Sequence, residues 1–166
     1  MTISNQTQYA EKLVTEIVDY LNNIDWQWFC TLTFNEHKFR GYKSNTIQSL
    51  VNRFYRDICI SEGIQVAGFY VISYRDGHPH VHALLFGKNK FGKSLSDVEP
   101  SKWERAWPSI AKIEVPISRE SVCRYFAKHF YGANNRNCLE FYNIKLLKNL
   151  LNKPKKRQVQ LQLFSD

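Results

Sequence analysis

The sequence predicts an α+β fold in which helices flank a central antiparallel sheet. Helix-like and strand-like patterns interleave along the chain, and two of the strands meet at Asp76-Gly77, a dipeptide typical of a tight hairpin. A hairpin makes its two strands antiparallel neighbours, which favours α+β over a parallel α/β sheet. With 166 residues the chain has the length of one domain. We expect this domain to span residues 1–152 and a basic, flexible tail to follow over 153–166.

The N-terminal half is predicted to hold two helices and three strands. Both helices repeat apolar residues at spacings of three and four, which places those residues on one helix face. The first strand is aromatic and β-branched, and Pro79 fits only at the beginning of the third. The predicted elements are a helix over 5–22, a strand over 26–34, a helix from Ser44 or Asn45 to the residue before Gly63, and strands over 65–75 and 80–86.

The C-terminal half is predicted to hold three helices and one strand. Ser96 and Glu99 have the spacing of a capping box, so we expect a short helix to begin there and to run through Trp103 and Trp107. The remaining predicted elements are a strand over 110–115, a helix that Ser118 caps and that Gly132 ends after Tyr131, and a last helix over 139–151 that stops before Pro154.

The composition excludes several broad classes of protein. Hydrophobic residues make up 43% and aromatic residues 14% of the chain, which is too much apolar side chain for a wholly disordered protein. No apolar run approaches the ~18 residues of a membrane helix, and the N-terminus lacks the pattern of a signal peptide. We therefore expect a cytoplasmic protein with no membrane partner. The four cysteines are widely separated, which indicates reduced core thiols rather than zinc ligands or disulfides.

The net charge of +8 suggests an acidic partner. Nucleic acid is the usual partner of so basic a domain, although a generally basic protein would show the same balance. Basic residues concentrate in a stretch interleaved with aromatic residues, in a Lys/Gly loop and in the tail, and each could equally be a solvated segment. The four tryptophans are expected in the core rather than as stacking platforms. The candidate nucleic-acid contacts are Lys38, Arg40, Lys43, Lys88, Lys90, Lys93 and Arg124.

Two histidines lie on a predicted strand with one residue between them. His80 and His82 therefore point to the same face of the sheet, about 6–7 Å apart along the backbone, while Val81 points to the core. Two neutral imidazoles side by side suit one divalent cation. A pair of solvated histidines on a sheet face is the alternative, because the motif is short. His78 is expected to be exposed at the hairpin tip.

The predicted helix over 118–131 carries a second pattern. Tyr125 and Lys128 are three residues apart, so their side chains meet on one flank of the helix. A neighbouring ammonium could favour the phenolate of a nucleophilic tyrosine or stabilise charge on a reacting phosphate. The alternative is structural: Tyr125 packs at the edge of the core and the Lys128 side chain extends past it to solvent.

In combination these motifs resemble those of the HUH endonuclease superfamily, in which U is a hydrophobic residue. The resemblance rests on Thr31-Leu-Thr-Phe34 on a strand, His80-Val-His82 on a strand and Tyr125-Phe-Ala-Lys128 on a helix, in that order. It covers roughly residues 26–132 and is closest to rolling-circle replication initiators of phages and plasmids. The family fold, a central antiparallel sheet with helices around it and similar to an RRM, agrees with the fold class predicted independently.

The resemblance implies metal-dependent nicking and joining of single-stranded DNA. His80 and His82 would hold Mn²⁺ or Mg²⁺, Tyr125 would be the nucleophile and Lys128 its helper. The product would be a 5′-phosphotyrosyl adduct and a free 3′-OH. Many relatives supply a third ligand, often Glu, from the strand before the histidines, but Ser73 stands near that position here. The candidates for a third ligand are His78, Asp76 and Glu36, and the alternative is that water completes the coordination shell.

A second tyrosine, present in some phage initiators four residues after the first, is replaced by His129. This implies a single-tyrosine enzyme, in which a homodimer could supply a second nucleophile. The expected role is to initiate rolling-circle replication of a plasmid or virus at an origin or hairpin in a prokaryotic cytoplasm. Since no helicase domain follows, host helicase and polymerase are expected partners. The alternatives are a single-tyrosine transposase and a catalytically inactive nucleic-acid-binding repressor.

Overall fold

The computed structural model describes residues 3–35, 43–75, 78–130 and 138–151 of the chain. Its helices are α1 (Ile3–Leu21), α2 (Ser44–Glu62), α3 (Pro100–Ala106), α4 (Arg119–Phe130) and α5 (Ile144–Leu151). Its strands are β1 (Trp28–Thr33), β2 (Gln65–Arg75), β3 (His78–Lys88), β4 (Ala111–Glu114) and β5 (Cys138–Tyr142), and a 3₁₀ turn spans Leu95–Asp97. None of the helices in these described ranges has the length and apolar character needed to cross a bilayer.

The five described strands form one sheet in the order β4-β1-β3-β2-β5, and every neighbouring pair is antiparallel. The predicted fold class is confirmed. Strands β2 and β3 form the predicted hairpin, in which Arg75 pairs with His78, and residues 76–77 between them lie outside the described residues. Because β3 is the central strand, its side chains have neighbours on both sides.

Each face of the sheet carries its own hydrophobic core. Helices α2 and α3 cover the first face, on which Ala83 and Leu85 of β3 are buried. Helices α1, α4 and α5 cover the second face, on which Leu84 and Phe86 of β3 are buried. Since strand residues alternate between faces, His80 and His82 lie on the second face, under the helix that carries Tyr125.

Close packing of the hairpin depends on one glycine. A β-carbon at Gly68 would clash with the carbonyl oxygen of Leu84 and the side chain of Leu85. A second glycine ends α2, as predicted: Gly63 has φ 65°, a left-handed conformation that glycine adopts without steric penalty. Helix α2 also begins at Ser44 as predicted, although no side chain caps it and the capping position is taken by Lys43.

The predicted capping box at Ser96 and Glu99 is wrong by two residues. The box is formed by Ser94 and Asp97, since the backbone N–H of Ser94 donates to the Asp97 carboxylate at 2.7 Å, and it closes the 3₁₀ turn rather than a helix. Helix α3 begins only at Pro100, because proline fits the first position of a helix, where its missing N–H is not needed.

The prediction of one helix over 139–151 is also wrong. Its first residues belong to β5, which pairs with the outer edge of β2, and the helix begins at Ile144 after Asn143 takes a positive φ of 53°. Strand pairing is favoured here because both faces of β5 find partners. Phe141 packs on Phe69, and Glu140 accepts a hydrogen bond from Gln48 at 2.8 Å.

The tryptophans and most of the described cysteines are buried, as predicted. All four tryptophans are at most 5% exposed, so they belong to the core and not to a stacking surface. Cys30 and Cys123 are fully buried, and Cys59 is partly buried. Burial raises the pKa of Cys123 to about 11, so this thiol stays protonated and unreactive near neutral pH.

Glu62, at the end of α2, ties three segments together. Its carboxylate accepts hydrogen bonds from Lys102 at 2.5 Å, from Lys93 at 3.1 Å and from the indole of Trp103 at 3.1 Å. The hydrogen bond from Lys102 is the main reason that the pKa of Glu62 lies below its ordinary value of 4.5. The carboxylate therefore stabilises the fold above pH 4.5, and this stabilisation is lost as the pH falls through the lowered pKa.

Replacing Glu62 with glutamine is expected to destabilise the protein by about 1 kcal/mol at pH 7, which corresponds to a Tm lower by about 2–4 °C. The difference from wild type should shrink as the pH is lowered below 4.5, where the wild-type carboxylate also becomes neutral. Thermal denaturation across this pH range measures it. Glu120→Gln is the matched control, because the ion pair of Glu120 with Arg124 is exposed to solvent and its loss should change Tm little. Equal effects of both substitutions would contradict the role of Glu62.

Candidate active site

Strand pairing sets the two histidines beside two threonines of the first strand. In the register of β1 and β3, His82 lies opposite Thr31 and His80 lies opposite Thr33. On the other side, His80 lies opposite Ser73 of β2. Val81, between the histidines, is fully buried in the core of the opposite face. The prediction that both imidazoles share one face is therefore confirmed.

His82 is held firmly in place. Its side chain is only 5% exposed, its Nδ1 lies 3.3 Å from the hydroxyl of Thr31, and the ring of Phe29 stacks on it at an interplanar angle of 3°. In the tautomer in which Nδ1 donates to Thr31, the lone pair is on Nε2. That is the arrangement by which an outer hydrogen bond orients a metal-binding imidazole.

Helix α4 brings Tyr125 against this histidine. The ring centroids of Tyr125 and His82 are 5.6 Å apart at 86°, and those of Tyr125 and Phe29 are 5.7 Å apart at 87°. Tyr125 is nevertheless 47% exposed, so it is reachable from solvent. Two residues from motifs distant in the sequence thus meet at the surface. Lys128 lies in the same helix, but its side chain is outside the described residues.

The position of Tyr125 follows from which face of α4 is buried. Of the apolar residues spaced four apart on α4, Phe126 is buried, Val122 is partly buried and the side chain of Phe130 is not described. Cys123 and Ala127 are also buried, on the side that packs against α1 and the sheet. This leaves Tyr125 on the flank of the helix that faces β1.

The sequence predicts His78 at an exposed hairpin tip, but His78 is the first residue of β3 and its side chain is partly buried. Its Nδ1 is shielded from solvent and has no hydrogen-bond partner among the described residues. The side chain of His78 lies on the same face of β3 as that of His80, and both line an open cleft of about 640 Å³. Asn35, Ser109 and Ile110 form the opposite part of that cleft. The prediction begins this strand at His80, whereas β3 begins two residues earlier, at His78, and includes Pro79.

A second cleft, of about 330 Å³, begins at Tyr125 on the other side of the histidines. Phe29 and Val122 line its floor beside Tyr125, and Ile117 and Val115 form a mostly apolar rim. Ile117 is fully exposed. No sequence pattern selects Phe29 or Ile117, because each is an ordinary apolar residue until the sheet and helix bring it beside Tyr125.

The described residues suit a cation held by two imidazoles. His80 and His82 share a face, Thr31 is placed to orient His82, and the unpartnered Nδ1 of His78 is a third nitrogen in the same row. Within the described ranges, however, no group of three His, Cys, Asp or Glu side chains is placed to hold a metal. Asp76 and Glu36, the predicted carboxylate candidates, lie outside these ranges. Mg²⁺ and Mn²⁺ tolerate few protein ligands because water or phosphate oxygens complete their shells.

The predicted nucleic-acid contacts do not all gather at the histidines. Lys88 is the last residue of β3, roughly 26 Å from His80 by the rise of a strand, and Lys90 and Lys93 lie in the loop that follows it. Arg124 neighbours Tyr125, is exposed, and pairs with Glu120 at 2.9 Å. Lys43 is exposed at the start of α2, and Lys38 and Arg40 lie outside the described residues.

Comparisons of the chain with protein-family models, with curated proteins and with solved structures find no match.

Proposed function

We propose that the protein is a metal-dependent, single-tyrosine enzyme of the HUH type that nicks and rejoins single-stranded DNA. One observation carries the proposal: Tyr125, on a helix, lies in edge-to-face contact with His82, on the central strand, at a surface between two clefts. A tyrosine nucleophile and a histidine pair are the residues that this chemistry needs in one place. The order of the three motifs in the sequence supports the same function.

The reaction would be an in-line displacement at phosphorus. The phenolic oxygen of Tyr125 forms a bond to the scissile phosphorus while the bond from phosphorus to the 3′ oxygen of the preceding nucleotide breaks. The phenol proton is lost to solvent or to a basic group, and the leaving 3′ oxygen takes up a proton. The products are a 5′-phosphotyrosyl link and a 3′-OH. The link keeps the energy of a phosphodiester, so the reverse reaction can rejoin the strand.

The residues around Tyr125 have separate tasks in this reaction. The contacts with Phe29 and His82 restrict the tyrosine ring, which lowers the entropy that must be lost before attack. His80 and His82 would hold the divalent cation, which when bound withdraws charge from the phosphate oxygens. Thr31 orients His82. The clefts on either side would receive the nucleotides that flank the scissile phosphate.

The cellular role we propose is initiation of rolling-circle replication of a plasmid or virus, since a nick with an extendable 3′-OH primes synthesis. Host helicase and polymerase would then act on the opened strand. A single-tyrosine transposase would use the same site. The DNA that flanks the gene distinguishes the two roles. An origin beside the gene indicates an initiator, whereas paired element ends indicate a transposase.

The experiment that tests the activity is formation of a covalent protein–DNA adduct. Single-stranded oligonucleotides that carry the DNA flanking the gene are incubated with the protein and Mn²⁺ or Mg²⁺, and the mixture is resolved on a denaturing gel. We expect an SDS-resistant adduct that depends on the metal and a released fragment with a 3′-OH. If the protein binds DNA but forms no adduct with any divalent metal or flanking sequence, the proposed nicking activity is overturned and a repressor with an incomplete metal site is favoured.

A further inference from the structure

The loop that follows β3 presents an aromatic ring to solvent at the end of the sheet opposite the histidines. Phe91 is 84% exposed. A single exposed apolar side chain is common on protein surfaces and needs no explanation by itself. Two further features distinguish Phe91: hydrogen bonds hold the loop around it in one shape, and it lines the same groove as Lys88 and Lys90.

Asn89 fixes the shape of the loop. Its side-chain oxygen accepts hydrogen bonds from the backbone N–H of Phe91 at 2.9 Å and of Lys93 at 3.1 Å, and its amide nitrogen donates to the carbonyl of Gly63 at 3.0 Å. Gly92 supplies the positive φ of 95° that the turn requires. Because the loop is already ordered, a ligand that binds to Phe91 loses little affinity to ordering it.

The charge around Phe91 is positive. The ammonium of Lys90 lies 4.9 Å from the centroid of the Phe91 ring, and that of Lys88 lies 5.8 Å from the ring of Phe86. Within the described part of the chain, neither lysine forms an ion pair with a carboxylate, whereas Lys93 is paired with Glu62. A groove of about 500 Å³ runs beside the ring.

We infer that Phe91, Lys88 and Lys90 form a second contact for single-stranded DNA, in which a base stacks on the phenyl ring and backbone phosphates lie against the two ammonium groups. An aromatic ring beside lysines is the combination by which proteins bind single strands without reading sequence. The inference rests on the proposed function only for the choice of DNA as the ligand. It adds an anchor for a stretch of the strand far from the scissile phosphate.

A fluorescent variant tests the stacking directly. All four native tryptophans are buried, so Phe91→Trp adds an exposed indole whose emission reports on its own surroundings. Titration with a short oligothymidylate should quench that emission, since a stacked base quenches indole. The same oligonucleotide with abasic sites has the phosphates without the bases and should quench far less. Absence of quenching, or equal quenching by both, would overturn the inference.

Binding measurements give the size of the effect. Phe91→Ala is expected to weaken binding of a single strand of about 20 nucleotides by about 5- to 150-fold, the range for loss of one stacked base. Ile60→Ala is the matched control, because Ile60 is 74% exposed, does not line the groove and should leave affinity unchanged. Equal affinities of Phe91→Ala and wild type would contradict the anchor.

The outcome separates this inference from the proposed enzyme. If Phe91→Trp is quenched by DNA but wild type forms no adduct, the anchor stands and the nicking function falls. If wild type forms the adduct but Phe91→Trp shows no quenching, the nicking function stands and the anchor falls.

Discussion

Replacing Tyr125 with phenylalanine is expected to abolish formation of the covalent adduct and to lower the rate of strand cleavage by at least a thousandfold. The substitution removes only the phenolic oxygen, which is the atom that would attack phosphorus. The ring remains to pack against His82 and Phe29, and the side chain is half exposed, so the free energy of unfolding should change by less than about 0.5 kcal/mol. Quantitative denaturing gels and thermal denaturation measure the two effects.

Tyr20 provides a matched control for this substitution. It is 45% exposed, compared with 47% for Tyr125, and also packs edge-to-face on an aromatic ring, that of Phe69 at 5.9 Å. It lies on α1 and lines neither of the two clefts beside the histidines. Tyr20→Phe should therefore leave adduct formation at the wild-type level. An adduct that persists in Tyr125→Phe would show that another residue is the nucleophile.

The fold could be predicted from the sequence wherever a local pattern was strong enough to decide the structure. The Asp76-Gly77 hairpin and the alternation around His80 and His82 predicted the two central strands and the face that the imidazoles share. The periodic apolar residues of α2 and its terminal Gly63 predicted that helix to within a residue. Each of these signals depends on neighbours in the chain, and tertiary packing then agreed with them.

Where the prediction failed, distant contacts decided the structure. Residues 138–142 form a strand because the edge of β2 offers them backbone hydrogen bonds, which no local pattern could show. His78 was expected at an exposed tip, yet the hairpin extends far enough to bury its Nδ1. The capping box lies at Ser94 and Asp97, two residues before the predicted position, because a 3₁₀ turn, which is tighter than an α-helix, connects β3 to α3.

In the candidate site, too, local sequence patterns predicted some residues and distant contacts decided others. Sequence motifs selected His80, His82 and Tyr125, because imidazoles two apart on a strand and a tyrosine on a following helix have recognisable chemistry. The sequence could not show that Phe29 would stack on His82 and also contact Tyr125. That contact requires β1 to pair with β3 in one register, since a shift by one residue would place Phe29 on the opposite face.

The paired histidines give the second large expected effect. His80→Ala and His82→Ala, singly or together, should lower the cleavage rate by roughly a thousandfold, because a cation held by these two imidazoles would stabilise the charged transition state by several kcal/mol. Affinity for single-stranded DNA in the absence of divalent metal should change little. Mn²⁺ should raise the Tm of wild type, since a ligand that binds only the folded state stabilises it, and should not raise that of the double variant.

The two histidines should differ in what they contribute to stability. His82 is 5% exposed and lies between two aromatic rings, so its truncation to alanine leaves a cavity and is expected to cost about 1–3 kcal/mol. His80 is only partly buried, and its truncation should cost less than about 1 kcal/mol. His82→Leu keeps side-chain volume but has no atom that can ligate a cation, so it separates loss of the imidazole from loss of packing. If His82→Leu folds as wild type does and still cleaves DNA in Mn²⁺, His82 is not a metal ligand and its role is structural.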